Sequence, residues 1–536
     1  MKKMANTAVS TERLLSFLND PRSYGRRSPR IRMLQTHASW VVLTPRFAYK
    51  VKKPVDFAFL DFSTLEKRRH FCEREVTLNR RLARQIYLGV VPISWKKNGL
   101  AFGIEGEIVE YAVKMRRLSA RYFMLPLVKR GQVGTRDIDV IVAKLKAFYR
   151  DQLPSRDSAR WGRVANLRIS TDENFRQART FIGRTISRPA FDTVRYYTER
   201  FYRSNAALFA ARAREGRIRD CHGDLHLDHI HLNPKNIAIY DCIEFNDRFR
   251  LIDVANDVAF LAMDLDFHER PDLAGYFVAR MARALADPGL LRVLDFYKCY
   301  RAFVRGKVEG LRHAAPGVTG LDRKRSQDLA ERYFRLALRY AVGGSKPMVL
   351  IIMGRIASGK STLASSLARE LGWDSLSSDR VRKELARVPV HVRAGAAQRL
   401  RLYSGAMSDR TYAALTHHAI ARIQSHQSVI LDATFGDRRR REVLRKKLES
   451  DGINYCFVEA RAAESVIRSR LGRRVHSADE VSDARLEDFP ALNRGYRPPV
   501  EIDSQHFFTV KTAGTLAETV GTTLRTLASR RASRTD

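Results

Sequence analysis

Apolar residues recur along the chain in two rhythms. Up to residue 118 they alternate with polar ones in short runs, Ser39 to Leu43, Phe47 to Val51 and Ile108 to Met115. That is the period-two pattern of half-buried strands. One helical pattern, Phe71 to Leu82, interrupts them, which predicts a small mixed lobe over 1–118. From 119 to 342 the spacing turns helical and is broken by two strand-like runs, Ile230-His231-Leu232 and Ile237 to Tyr240, so a mostly helical lobe is expected there. Gly343-Gly344-Ser345-Lys346-Pro347 stops a helix and predicts a linker at 343–347. Beyond it, Met348 to Met353 reads as a fully buried strand, and Leu363, Leu367 and Leu371 mark one face of the next helix. A second buried strand, Ser428 to Leu431, follows. Strands alternating with helices predict a parallel sheet covered by helices over 348–525. The basic tail at 526–536, with Arg530 and Arg531, is expected to fray.

The length, 536 residues, is room for about three folding units of roughly 150 residues each. With 44% hydrophobic and 29% charged residues, wholesale disorder is excluded. Lys and Arg number 97 against 58 Asp and Glu, a net charge of +39. Such a balance favours polyanionic partners, nucleic acid or nucleotide phosphates among them. Solvated basic faces explain it equally well, since the charges are spread along the whole chain. Five scattered Cys with no Cys-x-x-Cys pair argue against a disulfide framework or a zinc ribbon and predict a reducing compartment. Thr11, Glu12 and Arg13 break the apolar stretch near the N-terminus, so it lacks a signal-peptide core. No segment is long enough to span a bilayer. The expectation is a soluble cytoplasmic protein without a membrane partner.

Gly354-Arg355-Ile356-Ala357-Ser358-Gly359-Lys360-Ser361 fits the pattern G-x-x-x-x-G-K-[ST] and stands between a buried strand and a helix, as a phosphate-binding loop must. Glycines let the backbone curl so that successive N–H groups point at phosphate oxygens, and the helix N-terminus adds partial positive charge. Gly354, Ala357, Ser358, Gly359, Lys360, Ser361 and Thr362 are therefore the candidate nucleotide contacts. Lys360 would reach the terminal phosphates and Ser361 would ligate Mg²⁺.

Farther on, Asp379 follows a short strand-like stretch, at what would be the carboxyl edge of the sheet. Two readings stand: general base toward an acceptor hydroxyl, or N-cap of the helix Val381 to Leu385. Arg380 and Arg382 beside it suit an anionic acceptor. Asp432 ends the strand Ser428 to Leu431, at the place of an acid beside magnesium or on the acceptor side. Arg470 and Arg474 share a helical face at i, i+4 and suit a lid over a transferring phosphate; a solvated basic helix is the alternative.

GRIASGKST, SSDRVRKEL, VILDATF and RLGRR, followed by Ser482-Asp483-Ala484, resemble the small P-loop kinases that phosphorylate hydroxyls, the polynucleotide kinase, zeta-toxin and gluconate kinase-like group. The resemblance covers about 346–520. It implies a P-loop NTPase three-layer α/β/α domain that transfers phosphate from ATP, with Asp379 as base.

In the first half, Asp220-Cys221-His222-Gly223-Asp224-Leu225-His226 precedes the strand-like hairpin that ends in Asp241. Acids on either side of a hairpin are what a kinase site requires, Asp224 toward the acceptor and Asp241 toward Mg²⁺. Lys50 and Lys52 share one strand face, and Glu75 begins a helical apolar series; Lys50 with Glu75 is the preferred nucleotide-orienting pair. Asp253 and Asp257 are read as structural carboxylates at a helix N-terminus.

HGDLH and YKVKKPVDFAFLDFSTLEKRR resemble the aminoglycoside phosphotransferase-like branch of the kinase fold, in two-domain bacterial proteins that join such a half to a P-loop kinase half. This implies α/β and α+β architecture: a two-lobed protein-kinase-like unit, then the P-loop domain. One position departs. The pattern H-G-D-x-x-x-x-N would place a magnesium-binding Asn where His229 stands, and an imidazole prefers softer metals. His222, His226, His229 and His231 also invite a zinc reading, although the resemblance already accounts for His222 and His226. The expectation is an ATP- and Mg²⁺-dependent, bifunctional phosphotransferase acting on a hydroxyl acceptor. A nucleic-acid-binding ATPase switch and a P-loop kinase regulated by an N-terminal pseudokinase are the alternatives.

Overall fold

In a computed structural model, the structure describes residues 9–25, 30–57, 59–97, 99–315, 317–390, 392, 394–474, 486–487 and 489–533. The chain forms two compact units. One comprises Met1–Ile169 and Ala207–Tyr297, the other Ser170–Ala206 and Lys298–Asp536.

The first unit opens with a six-stranded antiparallel sheet in the order Arg32–Gln35, Ser39–Leu43, Phe47–Lys52, Glu107–Arg116, Tyr87–Lys96, Gly99–Phe102. Side-chain alternation sets its two faces. Tyr49 and Val51 bury against Trp40, Val42, Leu14 and Leu18, the last two from the helix Thr11–Asn19. The opposite face meets the helix Leu65–Ala83, whose Cys72, Val76 and Ala83 pack on Tyr87, Tyr111 and Val113. Lys50 and Lys52 lie on that helix-covered face. The rest of the unit is helical around Val254–Phe267, which is buried on nearly every side, as an all-round apolar helix must be. Two short antiparallel pairs, Ile218–Asp220 with Leu251–Asp253 and Ile230–Asn233 with Asn236–Ile239, frame the loop 221–226.

The second unit holds a five-stranded parallel sheet in the order Asp374–Ser377, Val429–Asp432, Met348–Met353, Asn454–Arg461, Phe507–Lys511. Val349, Ile351 and Met353 face Leu415, Ala419, Leu444 and Leu448, from the helices Gly405–Gln424 and Arg438–Ser450. The helices Lys360–Leu371 and Leu516–Ser533 also pack on the sheet, giving three layers, α/β/α.

Two further helices, Arg188–Ser204 and Gly320–Val342, pack on Leu516–Ser533 within this unit. Residues 343–347 thus join a helix to the central strand inside one compact unit, and the units are drawn differently from the domains expected at 119–342 and 348–525. Periodicity reports that a helix buries a face and is silent on what covers it. The expected fraying at 526–536 is corrected as far as Ser533. The helix continues through it, and Arg530 donates to the carbonyls of Ser504, Gln505 and Phe507 at 2.6–2.9 Å.

Candidate active site

Each set of candidate residues closes within its own unit. In the second, the fully buried strand Met348–Met353 delivers the glycine-rich loop to the helix that begins at Lys360. Gly354 has φ +146°, and a Cβ there would lie 2.5 Å from the Ala460 carbonyl oxygen. Gly359, at φ +90°, is crowded by Arg470 and Thr512. Ala357 adopts φ 55°, a left-handed strain of roughly 1–3 kcal/mol that functional loops retain. The loop is braced from behind. Thr512 Oγ1 donates to the Ser358 carbonyl at 2.5 Å, and Arg470 donates to the Thr512 carbonyl at 2.6 Å and to the Ala357 carbonyl at 3.4 Å. Arg470 therefore lies against the loop itself. A cavity of about 390 Å³ adjoins it, lined by Gly359, Thr362, Leu363, Arg470, Arg473 and Thr512 among others. Arg474 ends the helix Glu464–Arg474, but its side chain and Ser482-Asp483-Ala484 lie outside the described residues.

The buried Ser358 hydroxyl finds no hydrogen-bond partner among the described residues. Together with two positive-φ glycines it fits a phosphate chain curled into the loop. Lys360 is half-buried and makes no ion pair among the described residues, while Ser361 and Thr362 are exposed. The parallel register sets Ile352 beside Asp432 and Asp432 beside Ser377. The loop, the buried acid and Asp379 thus share one carboxyl edge, where open α/β sheets bind ligands. Ser361 and Asp432 are oxygen donors of the kind Mg²⁺ takes; bound there with nucleotide, the ion would neutralise phosphate charge.

Asp379 does not cap its helix. The cap position of Ser378–Leu385 is Ser377, and Asp379 stands in the first turn, half-buried, accepting no hydrogen bond from the described residues. Near it Arg382 is buried, with Nη1 on the Leu402 carbonyl at 3.3 Å, its guanidinium 4.6 Å from the Tyr403 ring centroid, and Nε without a partner. Burial raises the Tyr412 phenol, Arg382 and Arg440 oppose it, and Asp379 adds to it, so these four side chains share one electrostatic environment.

In the first unit, Lys50 Nζ lies 2.9 Å from Glu75 and 2.8 Å from Asp241. Lys52 also reaches Glu75, at 2.7 Å, and pairs with Glu244. Exposure separates them: the Lys50 side chain is 16% accessible and that of Lys52 1%, so only Lys50 can meet a ligand. Burial lowers the Lys50 ammonium, but Asp241 and Glu75 outweigh it and hold the group well above its usual range. Burial likewise raises Asp241, and Lys50 with His229 reverses this to a net fall below the usual carboxylate range. Asp241 sits at φ 62°, strain kept at a functional turn.

The loop 221–226 is held from beneath. Asp257, fully buried, accepts the backbone N–H groups of His222 and Gly223 and the Tyr149 hydroxyl, each at 2.9 Å. Asp253 is the N-cap of its helix and pairs with buried Arg212. Asp257 does more than favour a helix N-terminus. A buried acid on an all-round apolar helix was the available signal, since such a group demands partners. Thr512 left no comparable trace in the sequence. Gly223, at φ +85°, leaves no room for a Cβ against the Phe249 carbonyl oxygen at 2.7 Å. Asp224, half-buried, has Oδ2 3.5 Å from His226 Nε2 and from His229 Nδ1, and His229 Nε2 is 3.5 Å from Asp241 Oδ2. His229 therefore bridges the two acids with nitrogen where magnesium takes oxygen, and the residues do not fit magnesium there. All five cysteines are free and buried. Among the described residues no helix is long and apolar enough to cross a membrane.

A paired lysine, an HGD loop and a P-loop on a parallel sheet define ATP-dependent phosphotransferase architecture. Residues 143–294 match the family model described as phosphotransferase enzyme family, and residues 349–499 match the model described as AAA domain. Proteins of Mycobacterium tuberculosis (strain H37Rv) and Mycobacterium bovis, both described as uncharacterised, are 34% identical over 466 residues, 87% of this chain and 90% of theirs. The chain belongs to the family of these proteins, and it joins a phosphotransferase domain to a P-loop kinase-like domain. Among solved structures, a gluconokinase from Sinorhizobium meliloti is 21% identical, covering 34% of this chain and 92% of that chain, with TM-score 0.25. An APS kinase of Mycobacterium tuberculosis is 18% identical, covering 34% and 97%, with TM-score 0.26.

Proposed function

We propose that the P-loop unit transfers the γ-phosphoryl group of ATP to a hydroxyl of an anionic acceptor, and that the kinase-like unit is a second transferase. The observation that carries the reading is the shared carboxyl edge, where register aligns the loop, Asp432 and Asp379. Lys360 lies in the loop with no carboxylate to neutralise it among the described residues and would stabilise charge on the transferring phosphate. Asp379, which accepts no hydrogen bond from the described residues, would take the acceptor's proton as its oxygen attacks phosphorus. Arg382, buried with Nε unused, supports an acceptor that carries negative charge.

In the kinase-like unit Asp224 stands toward the acceptor and Lys50 toward the nucleotide phosphates. The test is transfer of labelled γ-phosphate from ATP into cytoplasmic extract fractionated on an anion exchanger. Wild type, Lys360→Ala and Asp224→Ala are compared. A labelled product from retained fractions that vanishes with Lys360→Ala supports the first transfer; a different product that vanishes with Asp224→Ala supports the second. Free phosphate alone in every fraction sinks both.

A further inference from the structure

We propose that the cavity between the turn 183–187 and the helices Gly320–Val342 and Lys360–Leu371 binds a small phosphorylated polyol, a ligand separate from the nucleotide and the acceptor of the P-loop edge. The cavity lies within the second unit and measures about 330 Å³, in the size range of small-molecule sites. Arg184, Arg335 and Arg369 line it, one from each of these elements, and among the described residues none of the three pairs with a carboxylate or donates a side-chain hydrogen bond. Guanidinium groups gathered without acids repel one another, and their forked donors match a phosphate. The crowding is felt at Arg339, one turn beyond Arg335: burial lowers its guanidinium, and Arg335 and Arg332 lower it further. Arg339 itself serves the end of the helix Lys360–Leu371, donating to the carbonyls of Leu371 at 2.5 Å and Gly372 at 2.6 Å, where a cation is favoured.

The walls are tied together. Ser187 caps the helix Arg188–Ser204 by accepting the Ala190 N–H at 3.1 Å, and its hydroxyl donates to Glu370 Oε2 at 2.6 Å, which clasps the turn to the helix Lys360–Leu371. The cap brings a helix N-terminus to the same cavity, and its partial positive charge favours an anion. Thr185 also lines the cavity, 5% exposed, with its hydroxyl unpartnered among the described residues, a polar orphan of the kind that a bound group or an ordered water satisfies. Two acids add a second chemistry. Glu331, which accepts from Gln327 at 3.0 Å, and Glu370 line the cavity without reaching the three arginines. Carboxylates only accept, so beside a phosphate they select a ligand that carries hydroxyl donors. Lys360 and Arg369 stand nine residues apart on one helix, about 14 Å, which keeps the cavity clear of nucleotide phosphates in the loop.

The test uses the full chain saturated with Mg²⁺ and a non-hydrolysable ATP analogue, titrated by calorimetry with glycerol 3-phosphate, ribose 5-phosphate and glucose 6-phosphate. At least one of the three is expected to bind at about one equivalent and about tenfold tighter than inorganic phosphate, with no binding of the parent polyol. Arg335→Gln and Arg369→Gln should each weaken that binding about tenfold or more, while Glu331→Gln should narrow the preference over inorganic phosphate. Arg382→Gln, at the edge proposed for the acceptor, should leave the affinity unchanged, and circular dichroism confirms that each variant is folded. No binding of any of the three to the folded wild type, equal affinity for inorganic phosphate, or a loss with Arg382→Gln in place of the Arg335 and Arg369 variants would overturn the site. Phosphate transfer is not read in this titration, so a failed transfer assay leaves it standing.

Discussion

Lys360 stands at the first residue of its helix without a carboxylate partner among the described residues, and Lys360→Ala removes the cation proposed to meet the transferred charge. The expected loss in transfer by the P-loop unit is about 10²- to 10³-fold, read from initial rates with folding checked by circular dichroism. A different residue sets an acid limit. His222 is fully buried, with Nε2 on the Tyr240 carbonyl at 3.0 Å, and burial pulls its ring from 6.5 down to about 3. Below 6.5 the unfolded chain binds a proton that the folded chain refuses. Stability is therefore intact above 6.5 and falls toward pH 3, by up to about 1.4 kcal/mol per pH unit. Urea midpoints measured from neutral pH downward should fall less steeply in His222→Asn; equal slopes would remove His222 as the cause.

At the scale of elements, the braces behind the loops matter more than the loops' own composition. Thr512 ties the strand Phe507–Lys511, just before it, to the P-loop through the Ser358 carbonyl. Thr512→Val should raise the KM for ATP about tenfold, the worth of a hydrogen bond or two, with a smaller change in kcat. Arg212 ties the helix Val254–Phe267 to the turn at Asp287, with four contacts of 2.6–2.9 Å to Asp253 and Asp287. Arg212→Met strands two buried carboxylates and should cost about 3–5 kcal/mol in denaturant unfolding.

Much of the fold was legible at this scale. Ser39–Leu43 and Met348–Met353 have the bounds their patterns predicted. Tyr87–Lys96 escaped because Gly89 and Pro92 break its pattern, and register shifts at Tyr87/Gly89 and Ile93/Ser94 absorb them in space. Ile218–Asp220 and Leu251–Asp253 are too short for any period to show. The residues proposed to act on ligand were visible as motif chemistry, Lys360 and Asp224 among them. Thr512 and Asp257 act through backbone distant in sequence, which spacing does not encode.

For the whole molecule, the second compact unit draws on two separate stretches of chain. A fragment beginning at residue 346 contains every P-loop motif but lacks Arg188–Ser204 and Gly320–Val342. It would uncover the side of Leu516–Ser533 on which these two helices pack in the full chain. Such a fragment is expected to aggregate or melt below the full-length protein in a thermal scan; an equal melting temperature would show the two helices to be dispensable. The same discontinuity has a consequence in time. During synthesis Arg188–Ser204 emerges roughly 300 residues ahead of Leu516–Ser533, the helix that packs on it, an interval of some 15–60 s at ordinary elongation rates. Through that interval the nascent helix lacks one of the elements that cover it, and Leu516–Ser533 completes its packing when it is made.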